Sequence, residues 1–290
     1  MNTVIITDSC CDLPLKYIEE NSISALGIIC NFKGKDFIED FGKTIPYDEF
    51  YREVRNGEMP TTAQINSYRF VEEFKKHLDA GKSIIYLAFS SALSGTYNSA
   101  LIAKEEILSE NPNADISVID TRSASMGEGL IVYYAVEMLK NGASKGEIVH
   151  WVESNKLKIN HWFTVDDLNH LKRGGRVSAA SAAIGTILDI KPILNVNDEG
   201  KLIPISKVKG RKKAIKTLAE KFSNHAVDPE NQMVFISHGD CLQEALTLKE
   251  IIEKEHGVKN FMINYIGPVI GSHSGPGTIA LFFIGENRNV

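Results

Sequence analysis

A two-domain α/β protein is the expectation, and three features of the sequence predict it. The chain has 290 residues, about twice the length of one ordinary domain. In its first half, short apolar runs alternate with amphipathic helical stretches. In its second half, strand-like runs follow one another with helices set aside, the pattern of an α+β unit. The boundary is expected near residue 155, between an N-terminal α/β domain (1–155) with a parallel sheet and a C-terminal α+β domain (156–290).

The elements follow in order. VIITDS (4–9), ISALGIIC (23–30), SIIYLAF (83–89) and ISVIDT (116–121) are β-rich and short, as strands buried on both faces are. Between and after them, residues 67–81, 96–111 and 127–142 have helical periodicity, the first two ending near Gly or Asn. This alternation predicts a parallel sheet with right-handed crossovers. The polar residues at the strand ends, Thr7–Asp8–Ser9, Ser90–Ser91 and Asp120–Thr121, would then line one edge, where such sheets bind ligands. Residues 145–159 read as a helix leaving the first domain. FTVDDL (163–168) reads as a strand, and SAASAAIGTIL (178–188) as a run of small and apolar residues that lets backbone pass close to a long thin ligand or packs helices closely. KPILNV (191–196) and LIPISKVKG (202–210) flank the turn signal DEG. A helix over 212–222 and a strand over 232–240 come next, and residues 261–285 read as strand, Gly-rich loop, strand.

Composition narrows the function. Hydrophobic residues make up 43% and charged residues 24%, an ordinary globular balance. The net charge of -5 provides no basic field for nucleic acid, although KRGGR (172–176) and KVKGRKK (207–213) are locally basic. The four cysteines form no CxxC and no Cys/His zinc spacing, so no metal is expected. The start MNTVIITDS reads as a strand, not a signal peptide, and no apolar run is long enough to span a membrane. The expectation is a reduced, cytoplasmic protein.

The stretch FSSALSGTYNSA (89–100) carries the sharpest functional signal: a strand stops at a run of small hydroxyl residues and restarts as a helix. Ser94 fails the GxSxG elbow of the α/β-hydrolases, although His273 as base with Asp8 or Asp120 behind it would make an acyl hydrolase. Neither GxxxxGK[ST] nor GxGxxG occurs. A helix beginning near Gly95–Thr96 favours an anion at Ser94, while the bland alternative is that Ser94 only caps that helix. Thr62, in TTAQ, is a similar case: a donor, or a turn residue. KRGGR meets a phosphate or an acidic partner or is a solvated turn, and Cys10–Cys11, lacking a basic neighbour, gives no argument for reactivity.

TDSCCDLP (7–14), PTTAQ (60–64), SSALSGTYNSA (90–100), VIDTRSASMGEG (118–129), LKRGGRVS (171–178) and IGPVIGSHSGPG (266–277) together resemble, in order, the blocks of the DegV family of bacterial proteins, and the likeness covers essentially the whole chain. The resemblance implies a long-chain fatty acid bound in a tunnel between two domains. In some members the protein is the binding subunit of a two-component fatty acid kinase and presents the acid to a separate ATP-using subunit. By that likeness the protein does no chemistry itself and needs no cofactor. The family's carboxylate-binding residues carry over by motif to Thr62, Ser94 and His273, with Gln64 and Gly95 in support. Where the family has Ser and Pro around that Gln, Ala63 and Ile65 stand here. KVKGRKKA resembles the kinase-facing region, which makes Lys209, at a position often arginine, and Arg211 the docking candidates.

Overall fold

The computed structural model describes residues 2–178 and 189–288. The first strand, β1 (Asn2–Asp8), runs into a 3-10 turn at Ser9–Cys11 and then α1 (Leu15–Glu20). The run at 23–30, expected as one strand, is two: β2 (Ser24–Leu26) and β3 (Ile29–Phe32). They part at Gly27, whose α-carbon lies so close to the Glu39 carbonyl that a Cβ would come within 2.1 Å of it. Next come β4 (Lys35–Ile38), α2 (Tyr47–Arg55), β5 (Thr61–Ala63) and α3 (Ser67–Asp79), the last capped by the Asn66 side chain accepting from the Arg69 N–H. β6 (Lys82–Ala88), α4 (Thr96–Glu110), β7 (Ile116–Asp120), α5 (Met126–Lys140) and α6 (Lys145–Asn155) complete the first half. A capping box between Ser144 and Glu147 starts α6.

The helix expected over 145–159 stops at Asn155, and a 3-10 turn leads into β8 (Ile159–Thr164). The strand read at 163–168 is therefore displaced: Phe163 and Thr164 end β8, and Asp166 and Asp167 lie beyond it. α7 (Asn169–Arg173) precedes β9 (Ile190–Val196), β10 (Leu202–Lys209), α8 (Arg211–His225), β11 (Met233–His238), α9 (Leu242–His256) and β12 (Asn260–Tyr265). The run SAASAAIGTIL falls, apart from Ser178, outside the described residues. The Gly-rich segment before the last strand is not all loop. Pro268 in the first turn and Gly275 at φ 77 just past the end bracket a short helix, α10 (Pro268–Ser274), before β13 (Ile279–Ile284).

The strands make three sheets. One is parallel, in the order β2-β1-β6-β7. A six-stranded sheet runs β10-β9-β8-β13-β11-β12, antiparallel except for its β11–β12 pair. A small antiparallel sheet, β4-β3-β5, was not foreseen: its strands are short, and β4 is largely exposed and lacks an apolar run. The parallel strands are apolar because both faces are covered; Ile84 through Ala88 have no exposed surface.

Helix α5 explains how the two large sheets meet. Leu130, Ile131, Val132, Ala135 and Val136 are all buried, and the helix packs on β1 and β6 from one sheet and on β8, β11 and β13 from the other. A helix apolar around most of its circumference is one covered on more than one side. One core therefore runs from Ile5 and Leu87 through Leu130 to Phe163, Phe235 and Phe282. Arg288, 3% exposed, pins the end of the chain by donating to the carbonyls of Ile159, Arg122, Asn197 and Lys156 and to Ser123 Oγ.

Candidate functional site

A cavity of about 420 Å³ lies between the sheets. Ile28, Phe89 and Leu93 line it from the first half of the chain; Phe163, Val196 and Phe282 line it from the second. The long apolar wall follows from strand alternation and from the small side chains Ala124 and Ala280, which leave room where larger ones would fill it. Exposure falls along the lining, from Ala63 and Gln64, which are exposed, to Cys10, Phe163 and Phe282, which are buried. The cavity thus opens beside β5 and closes in the shared core.

Thr62, Ser94 and His273 all line this cavity, and all are half-buried at its open end. Three different elements bring them there. Thr62 sits in the middle of β5, opposite Cys30 of β3. Ser94 is in the turn between β6 and α4, a turn held by the Phe89 N–H donating to Asp8 Oδ2 at 3.1 Å and by Ser90 Oγ donating to the Gly200 carbonyl at 2.9 Å. His273 is in the last turn of α10. The start of that helix is tied down: the Gly267 N–H donates to Asp12 Oδ1 at 2.9 Å, and Tyr51 Oη donates to the Ile266 carbonyl at 2.8 Å.

Thr62 Oγ1 and His273 Nε2 are 2.8 Å apart. Ser94 lines the cavity and its Oγ accepts the Thr96 N–H at 3.3 Å, but the N-cap of α4 is Gly95, which has no side-chain cap, so Ser94 sits one residue before the cap. Gln64 and Gly95 are also in the lining. The Gln64 amide lies over Gly95, where a Cβ would come within 2.0 Å of Oε1, and its Nε2 donates to Ser99 Oγ at 3.0 Å. Glycine at 95 lets this amide close against the start of α4.

Burial pushes the His273 imidazole down to about 4, helped by the nearby charges of Arg176 and Arg173. It is neutral at pH 7, and its Nδ1, beside Gly174, has no hydrogen-bond partner. Arg176 itself lines the cavity, its Nε donating to the Leu93 carbonyl at 3.1 Å. The sequence reading left KRGGR undecided and so missed Arg176 as a wall residue; the signal was an arginine after two glycines, a turn that can fold back.

Behind the site, Ser125 Oγ donates to Asp12 Oδ2 and sits 2.9 Å from Ser237 Oγ, joining the start of α5 to β11. Burial pushes Asp12 up to about 7 and Glu39, with Asp12's charge added, to about 8. Cys10 and Cys11 are buried, and burial raises both thiols, which makes them inert.

The hydrolase alternative finds no relay here. Asp8 accepts from Tyr86, Cys10 and Phe89, and Asp120 accepts from Ser91 and Arg122, so neither acid bonds His273. The polar strand ends expected to face a ligand are largely spent on each other in this way; Thr7 Oγ1, for example, donates to Glu128 at 2.8 Å. The docking candidates lie off the cavity. Lys209 is exposed at the end of β10, whereas Arg211 is largely covered and faces Asp166, Glu244 and Cys241. No group of metal-ligating side chains is found among the described residues.

The profile of the family described as "Uncharacterised protein, DegV family COG1307" matches residues 2–286. A DegV domain-containing protein of Clostridium perfringens is 52% identical over 285 residues, 98% of each chain, and one of Lactococcus lactis is 39% identical over the same share. Among solved structures, a fatty-acid-binding DegV family protein of Thermus thermophilus superposes with a TM-score of 0.89 at 28% identity, over 98% of this chain and 100% of that one. DegV of Bacillus subtilis, a fatty acid binding protein, gives 0.85 at 30% over 99% and 100%. A stearic-acid-binding protein of Eubacterium ventriosum gives 0.88 at 25% over 98% of each.

Proposed function

The chain belongs to the DegV family, and from that premise we propose that it binds one long-chain fatty acid in the cavity and presents the carboxylate to a separate ATP-dependent fatty acid kinase, which forms the acyl phosphate. The protein is the carrier and not the catalyst. It works in the bacterial cytoplasm and needs no cofactor or metal. The proposed domain boundary is near 155, and the end of α6 at Asn155 before β8 begins at Ile159 supports it.

The observation that carries this reading is a single cavity whose deep wall is apolar and whose open end holds Thr62, Ser94 and His273. The tail supplies most of the affinity: each buried methylene is worth about 0.8 kcal/mol, so about fourteen provide on the order of 11 kcal/mol before ordering costs. Thr62 and Ser94 donate to the two carboxylate oxygens, with the His273 Nε2–H donating to Thr62 Oγ1 and turning that hydroxyl toward the ligand, at roughly 1.5–3 kcal/mol for each bond to a charged acceptor. The carboxylate's charge also draws a proton back toward His273, against the burial and arginines that keep the empty site's imidazole neutral. Gln64 and Gly95 hold the open end in shape, and Lys209 belongs to the surface that meets the kinase, while Arg211, largely covered by Asp166 and Glu244, supports that surface from beneath.

Native mass spectrometry tests the reading. Purified protein is expected to carry a fatty acid, or, once stripped, to take up one equivalent of palmitic acid. Failure to take up any C14 to C18 acid would refute it. Kinase presentation is tested separately, by acyl phosphate formation from ATP and the loaded protein with a separate ATP-dependent fatty acid kinase subunit.

A further inference from the structure

Two of the sequence blocks, TDSCCDLP and VIDTRSASMGEG, supply no donor to the carboxylate, yet they meet at one buried side chain. Asp12, in the first block, is buried and does not line the cavity. Its Oδ1 accepts the Gly267 N–H at 2.9 Å, near the head of the block IGPVIGSHSGPG. Its Oδ2 accepts from Ser125 Oγ in VIDTRSASMGEG, and its backbone carbonyl accepts from Asn264 Nδ2 of β12 at 2.8 Å. One residue near the start of the chain thus ties the beginning of α5 to the end of β12 and the beginning of α10.

The bond to Gly267 acts on His273. Gly267 is the N-cap of α10 and has no side chain to cap with, and Pro268 after it has no N–H. Asp12 accepts the N-cap N–H, as the third-residue glutamate does in a capping box, but from 255 residues away. His273 is six residues further on, roughly 9 Å along the helix. Little slack lies between them. The Gly271 N–H donates to the Gly267 carbonyl at 2.8 Å, Ser272 Oγ donates to the Pro268 carbonyl at 2.6 Å, and Gly271 packs so closely that a Cβ there would come within 2.7 Å of Tyr51 Oη. A shift at Gly267 is therefore carried to His273 Nε2, whose 2.8 Å contact with Thr62 Oγ1 tolerates little change. The other oxygen of Asp12 holds Ser125 at φ 53 and ψ -144, a conformation that side chains rarely adopt and that persists only where the surroundings impose it. We propose that Asp12 is a positioning residue for the carboxylate site: it fixes the start of α10 and so sets where His273 meets Thr62. The inference rests on the fatty acid reading above and adds to it a residue that never touches the ligand.

The test compares stripped wild-type protein with Asp12→Ala, Asp12→Asn and Gly267→Ala. It measures affinity for palmitic acid and for hexadecan-1-ol, and the NMR signals of the His273 ring, assigned by their loss in His273→Gln. Asp12→Ala is expected to bind palmitic acid about tenfold more weakly and hexadecan-1-ol within about twofold of wild type, because the charged head alone depends strongly on aligned donors. Asp12→Asn keeps an acceptor for the Gly267 N–H and is expected to bring palmitic acid back to within about threefold of wild type. Gly267→Ala disturbs the same contact from its other side: a φ of -68 suits alanine, but the new Cβ would meet Asp12 Oδ1 at 3.0 Å. It is expected to weaken palmitic acid about threefold and leave the alcohol alone, and it carries the test if Asp12→Ala does not fold. The His273 signals should move in Asp12→Ala and Gly267→Ala and return in Asp12→Asn. A general loosening of the core would weaken both ligands alike. Unchanged palmitic acid affinity, equal losses for acid and alcohol, or unmoved His273 signals in the folded variants overturn the role of Asp12 and leave the fatty acid reading intact. A wild-type protein that binds no palmitic acid removes both.

Discussion

Replacing Thr62 with valine isolates the contact at the centre of the site. Valine keeps the β-branched shape that suits β5, and it removes only the hydroxyl. That hydroxyl is 2.8 Å from His273 Nε2, and Nδ1 of the same ring already lacks a partner. The variant therefore leaves an imidazole with neither nitrogen bonded to protein. A net hydrogen bond is worth about 1 kcal/mol, and stranding a buried partner adds 1–3 kcal/mol when water cannot reach it. Because both residues are half-buried, water meets part of that demand, and the expected loss is about 1–2 kcal/mol. For a chain of this size that lowers the unfolding temperature of the stripped protein by roughly 2–3 °C. Fatty acid binding loses one charge-assisted donor as well, a weakening of roughly 10- to 100-fold in a fluorescent fatty acid displacement assay. The double variant with His273→Ala decides whether the two residues act together: their losses should be less than additive. Fully additive losses, or a stripped Thr62→Val protein that melts with wild type and binds palmitic acid within twofold, would refute the reasoning.

Three further outcomes are expected. Ser94→Ala weakens palmitic acid retention modestly, about tenfold, because it removes one donor and leaves the tail wall intact, whereas Ala280→Phe, which puts a ring into the apolar wall, abolishes uptake; lipid mass spectrometry of the purified variants reads both, and equal retention by Ser94→Ala would show that residue misassigned. Stability falls as pH rises from 6.5 to 8: Asp12 and Glu39 are raised to about 7 and 8 in the fold, so the folded state holds their protons after the unfolded chain has lost them, and charging them in place costs stability. Between about pH 4 and 6.5 the fall is offset, because His238 and His273, lowered to about 4, must stay neutral in the fold while the unfolded chain protonates them, and their contribution runs opposite to that of Asp12 and Glu39. Calorimetry should find Asp12→Asn flatter than wild type between pH 6.5 and 8, and an identical slope would count against Asp12. Arg288→Leu strands five acceptors around a buried site and is expected to cost at least about 3 kcal/mol in urea unfolding, and a loss below 1 kcal/mol would show that the clamp is not structural.

Much of this was legible in the sequence, because local patterns report local geometry. Runs such as SIIYLAF announce strands buried on both faces, and the alternation with helices announces a parallel sheet. The resemblance to the DegV blocks is what singled out Thr62, Ser94 and His273, and the three line one cavity. What misled was context. Residues 23–30 look like one strand because nothing in the letters shows that the Glu39 carbonyl closes over Gly27 and splits the run between two sheets. Residues 268–274 look like loop because glycine and serine disfavour helix, yet Pro268, the Asp12 anchor and the packing of Gly271 on Tyr51 make a short helix of them.

The sequence by itself determined the class of fold, since that depends on periodicity, and its resemblance to the DegV blocks named the side chains expected at the site. Only the tertiary structure decided that Thr62 pairs with His273 across 211 residues of chain, that Arg176 folds back into the wall, and that Asp12 holds the start of α10. Those facts arise where one core closes on both sides of α5, and burial there sets which polar groups find partners and which keep their protons.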